Sequence, residues 1–215
     1  MEGRSLDQVR ETAVQLRRAM LRIDPVQHHG PYCLMPSDGE AHLPSLLPVE
    51  TLRQAVVLGG RSAHLRLRPL PDQVFSIDAL LEACDAFERM AAKRRVAGDR
   101  YSAKMLGSIL LLVPSLLAAA MGRPMEKGES FAWLKREATP DLRNAVVTIE
   151  RWRAEWKHAL APPLPQGMVT QRVLRTINRL PSVELMRRSG VLHEAGRCLF
   201  RGAWAMLAEL ERATR

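Results

Sequence analysis

The sequence predicts a mainly α protein: a helical bundle carrying a small N-terminal α/β element and a basic C-terminal helical segment. Three observations lead there. Hydrophobic residues make up 47% of the chain but aromatics only 5%, so the core is built from Leu, Ala, Val and Met, which suit helices better than a β-sandwich. Apolar residues recur at spacings of three and four through most of the chain, set off by capping signals. A single short segment alternates with period two.

Taken in order, Ser5 and Gln8 have capping-box spacing, and Leu6, Val9, Ala13, Leu16, Met20 and Ile23 follow on one helical face. A helix over 6–23 is expected, ended by Pro25. Residues 24–48 hold five prolines (25, 31, 36, 44 and 48) and are long for a connector. A short helix is expected at 49–58, stopped by Gly59 and Gly60. Ala63, Leu65 and Leu67 then alternate with His64, Arg66 and Arg68, a strand with one apolar and one basic face. Its suggested partner is 31–36.

From Ser76 onward the chain reads as helices. Ile77, Leu80, Leu81, Cys84, Phe87 and Met90 form one stripe that ends near Gly98. Asp99 caps the next helix, which is expected to run to Gly122 with a kink at Pro114. Its apolar stretch 105–121 is short and interrupted for a membrane span, and is read as a buried central helix. Ser130 is expected to start a short helix. Thr139 and Pro140 give an N-cap and N1 signal ahead of the stripe Leu142, Ala145, Ile149, Trp152 and Trp156. The segment Ala161-Pro-Pro-Leu-Pro-Gln-Gly167 is the best boundary, after which helices are expected at 168–180, 182–189 and 191–213. The organisation is thus 1–75 for the N-terminal element, 76–160 for the bundle and 168–215 for the basic segment.

Three scattered cysteines (Cys33, Cys84, Cys198) show no C-x-x-C, so neither a disulfide framework nor a structural zinc site is expected. The charged opening residues lack the pattern of a secretory signal, which gives the expectation of a cytoplasmic protein. His28, His29, Cys33, Asp38, Glu40 and His42 gather zinc-competent groups, but in no closed spacing, and the segment is read as a polar loop. No cofactor or metal is implied. There is no nucleophile elbow, Walker loop or dinucleotide fingerprint.

Two incomplete motifs remain. Arg153-x4-His158 and Arg188-x4-His193 are similar to the R-x4-6-H pattern of the HEPN ribonucleases, which would imply RNA cleavage by Arg and His. A polar residue usual after the Arg is Ala154 here. Residues 183–201 look somewhat like a helix-turn-helix, with Ser189-Gly190-Val191 as the turn and His193, Glu194, Arg197 and Arg201 offered to a groove. Met186 and Gly196 depart from that motif at its packing positions.

Charge placement is the strongest signal. The chain carries +9, and only five of its 32 cations are lysines. Residues 89–104 hold a net +5, and residues 168–201 another net +5, so the rest of the chain is close to neutral. Charge this localised is an electrostatic footprint for phosphate, which arginine grips in bidentate fashion. The expected function is non-enzymatic binding of DNA or RNA, as an accessory subunit among other protein subunits and without a membrane. The candidate contacts are Arg66, Arg68, Arg94, Arg95, Arg172, Arg175, Arg179, Arg187, Arg188, Arg197 and Arg201. The alternatives are a helix-turn-helix regulator, a HEPN-like ribonuclease and a protein–protein scaffold.

Overall fold

The computed structural model describes residues 6–23, 73–92, 98–156, 172–173 and 176–214. The Pro-rich stretch, the helix at 49–58, the strand at 63–68 with its suggested partner, and the 161–167 boundary lie outside the described residues. Among the described residues every regular element is a helix: α1 (Leu6–Ile23), α2 (Gln73–Ala92), α3 (Arg100–Leu110), α4 (Val113–Ala120), α5 (Lys127–Glu137), α6 (Pro140–Glu155) and α7 (Val183–Ala213).

Local chemistry explains most of these boundaries. The Asp99 carboxylate accepts from the Ser102 amide at 2.9 Å and from its hydroxyl at 2.7 Å, holding the first turn of α3. The expected interruption at Pro114 separates α3 from α4 through two residues, Leu111 and Leu112, that keep helical backbone angles. Proline has no N–H to give the Leu110 carbonyl, so the helix closes through Leu111 and Leu112 and restarts as α4, with proline in its first turn. Gly122, at φ 72°, ends α4. Two starts differ from expectation. α2 begins at Gln73, so Ser76 lies inside its first turn. α5 begins at Lys127, and Ser130 is a fully buried side chain whose hydroxyl bonds the Lys127 carbonyl and the Ser115 hydroxyl.

Helices α2 to α7 enclose one core, with α2 packed on α4 and α6 on α7 as the broadest contacts. Phe87, Leu106, Leu110, Leu117, Leu134, Ile149, Leu192 and Leu199 are fully buried in it, each contributing about 1.5–3 kcal/mol of apolar transfer. Arg100–Ala120 is long and apolar enough to cross a membrane, with a mean hydropathy of 1.8, but 67% of that window is buried inside the bundle.

Side-chain neighbours fix the helix directions. Gly98 lies beside Ser182, and Leu110 beside Gly196, so α3 and α7 run the same way. Glu155 meets Arg188, and Leu142 meets Gly202, so α6 runs against both. The C-terminus of α6 and the N-termini of α3 and α7 therefore share one end of the bundle. By contrast, α1 leaves Val14 44% and Leu16 49% exposed.

Candidate nucleic-acid interface

At that shared end the two basic stretches of sequence meet. The Ser182 amide donates to the Gly98 carbonyl at 2.8 Å, and the Arg100 amide to the Asn178 carbonyl at 3.1 Å. The Arg100 guanidinium donates to Asn178 Oδ1 at 3.1 Å, and Arg179 lies over the Tyr101 ring, 5.6 Å from its centroid. Asn178 is buried by this junction. Residues about eighty positions apart are thereby held edge to edge, with Arg100 on one side and Arg179 on the other.

Beside the junction, α6 and α7 flank a cleft of about 290 Å³ lined by Thr148, Arg151, Trp152, Glu155, Arg187, Arg188, Val191 and Leu192. Two of its arginines are held by carboxylates. Arg188 pairs with Glu155 and with Glu184, and Arg187 makes a bidentate bond to Glu184 at 3.0 and 3.1 Å. The two guanidinium groups hold the exposed Glu184 carboxyl down to about 2. Arg151 is exposed and makes no ion pair among the described residues. Two residues further along α6 is the exposed Arg153, and the Lys127 ammonium is lowered to about 8 by burial and then by the Arg153 charge.

Aromatic rings are interleaved with these cations. Trp152 sits on Gly107 of α3, and Trp156 stacks on Trp152 with centroids 5.3 Å apart and planes 25° from parallel. Because α6 runs against α3, Trp156 lies one turn nearer the N-terminus of α3, where Tyr101 is. Both Trp156 and Tyr101 are half-buried, and Trp156 packs against the edge of the core.

The candidate contacts divide into three groups. Arg66, Arg68, Arg94, Arg95 and Arg175 lie outside the described residues. Arg172, Arg179, Arg187 and Arg188 belong to the basic end, with Arg172 exposed. Arg197 and Arg201 are exposed on α7, but about 14 and 20 Å along the helix from Arg188 at 1.5 Å per residue, and Arg197 is paired with Glu194 at 2.8 Å. Sequence reasoning missed Arg100, Tyr101, Arg151, Arg153 and Trp156 as site residues. The alternation of Arg151 and Arg153 with Trp152 and Trp156 was the signal that could have found the last three.

The turn at Ser189-Gly190-Val191 is absent. Val183–Ala213 is one continuous helix of 31 residues, capped by the Ser182 hydroxyl. Ser189 is fully buried, and a Cβ on Gly196 would lie 2.4 Å from Phe87, so the expected recognition helix is a core helix. His193 is likewise buried, 5.5 Å from the Phe87 ring, with Nδ1 unpartnered. Arg188 turns instead to Glu155, so this Arg and His face different helices. His158 of the other such pair lies outside the described residues. Among the described residues no group of three or more His, Cys, Asp or Glu could hold a metal ion. Comparison of the chain with protein-family models, with curated proteins and with solved structures finds no match in any of the three.

Proposed function

We propose that this chain binds nucleic acid through backbone phosphates at the basic end of its bundle, as a non-enzymatic accessory subunit of a larger nucleoprotein complex. The observation that carries the reading is the junction of Gly98–Arg100 with Asn178–Ser182, which brings Arg100 and Arg179, from the two basic stretches of sequence, to one end of the bundle. A fixed array of guanidinium groups is what phosphate contacts require, and such contacts position a protein on nucleic acid without reading its sequence. Val173, Ile177, Leu180, Val183 and Met186 expose 39–78% of their surface beside the same cations. Aliphatic groups so exposed favour a neighbouring protein subunit in the complex.

Salt titration tests the reading. Each phosphate neutralised releases condensed counterion, so log affinity falls linearly with log salt, at about −0.9 per contact on duplex DNA. Roughly 4–7 effective contacts are expected. Changing Arg151, Arg172 and Arg179 to Glu weakens binding to every sequence alike and flattens the slope, whereas changing Arg201 has little effect. Absence of binding to DNA and RNA, duplex and single-stranded, at low salt refutes the proposal.

A further inference from the structure

Resting on that reading, we infer that the basic end takes single-stranded nucleic acid in preference to duplex, stacking a base on the outer face of Trp156. The argument starts from scarcity. The chain has only four tryptophans and two tyrosines, yet Trp156 and Tyr101 both lie half-buried at the end of the bundle that carries Arg100, Arg151 and Arg179. Phosphate contacts alone need no aromatic groups. A single strand does, because its unpaired bases offer flat apolar faces that duplex DNA keeps stacked inside.

The geometry suits this role. Trp156 is braced from behind by Trp152, which in turn rests on the bare backbone of Gly107, so the outer ring is held at a fixed angle. A platform that does not move on binding loses little entropy when a base settles on it. On α6, Arg153 lies three residues before Trp156, within one turn, and Arg151 lies five residues before it, both close enough along the helix for a strand stacked on Trp156 to pass them. At the junction, the Arg179 guanidinium lies over the Tyr101 ring, 5.6 Å from its centroid, which places a cation beside a second aromatic group. Cationic groups alternating with flat rings are the combination that sequence-tolerant single-strand binding uses.

The test uses the full chain with labelled dT20, U20 and a 20-base-pair duplex, followed by fluorescence anisotropy and by intrinsic tryptophan emission. Expected results are tighter binding of the single strands than of the duplex, and quenching of tryptophan emission by dT20 and U20. The two strands also separate DNA from RNA as the source of the ligand. Trp156→Ala is expected to lower single-strand affinity by about 5- to 100-fold, while leaving the salt slope and the duplex affinity unchanged. A purely structural role for Trp156 would weaken all three ligands together. Trp156→Phe, which keeps a packed ring, guards against misfolding: it retains most of the affinity and loses the quenching. Equal binding of single strands and duplex, with Trp156→Ala neutral, overturns this inference and leaves phosphate binding intact. No binding of any of the three at low salt overturns both.

Discussion

Replacing Gly190 by Ala should stabilise the protein. Gly190 is the residue that sequence patterning assigns to a turn, and its place inside α7 reverses the expected sign of the substitution. Its φ is not positive, since Gly122 alone among the described glycines has that conformation. A Cβ built on Gly190 meets no atom within 4 Å, so the added methyl costs no packing. What remains is backbone entropy. Alanine in a helix interior is favoured over glycine by about 0.5–1 kcal/mol, because the unfolded chain loses part of its conformational freedom. For a protein of this size each kcal/mol moves Tm by about 2–4 °C, so a rise of roughly 1–4 °C follows. Had Gly190 been a left-handed turn residue, the same change would cost about 1–2 kcal/mol. The two architectures therefore differ by about 2 kcal/mol with opposite signs, well outside the error of paired urea melts monitored by circular dichroism. Gly128→Ala, also in open space within α5, serves as the reference substitution. A fall in the urea midpoint for Gly190→Ala, with Gly128→Ala neutral or stabilising, would refute the continuous helix.

The other predictions concern the core. A Cβ on Gly107 would lie 2.1 Å from the Trp152 ring, so Gly107→Ala should destabilise by about 1–3 kcal/mol through overpacking, less the helical gain of alanine, and should shift near-ultraviolet circular dichroism as the indole moves. Burial, and then the Arg197 charge, push the His193 pKa below its ordinary 6.5, against smaller opposite effects of Glu194 and Glu88. Protons then bind the unfolded chain more readily, so stability is full above pH 6.5 and is lost as pH falls from there toward the lower folded value, by up to about 1.4 kcal/mol per pH unit. Urea melts between pH 8 and pH 5 should show this loss, and His193→Phe should remove it; an unchanged pH profile in the variant would place the acid sensitivity elsewhere.

What was legible in the sequence was local. Asp99 as a cap, Thr139 with Pro140 as a start, and the buried stripe on α6 follow from neighbours within a few positions. Ser130 misled because a serine that could cap a helix instead satisfies its hydroxyl deep in the core, against Ser115 and the Lys127 carbonyl. The continuity of α7 was written in the residues Leu185, Ser189, Leu192, Gly196, Leu199 and Ala203, spaced four and three across Gly190. Reading only large apolar residues hid it, since three of its six positions, Ser189, Gly196 and Ala203, are small, and at Gly196 Phe87 and Leu110 fill the space a side chain would take. The candidate site was legible as charge and not as place. Nothing between residues 100 and 178 announces that Arg100 will donate to Asn178, a contact made only when the whole bundle closes.

The carboxylates at the basic end decide how the charge can be used. Arg187 and Arg188 are half of a four-residue network with Glu184 and Glu155, and surface pairs of this kind contribute little to stability because solvent already screens both partners. Their effect on a ligand is larger. With each guanidinium already engaged, an incoming phosphate gains the contact only by competing with a carboxylate that stays nearby. The neutralised arginines therefore orient groups on α7 more than they attract, while the long-range pull falls to Arg151, Arg172 and the junction with Arg100 and Arg179. This sorting separates positions that a count of cations treats alike. It also explains why a chain of +9 should release fewer counterions than its two basic segments together would suggest.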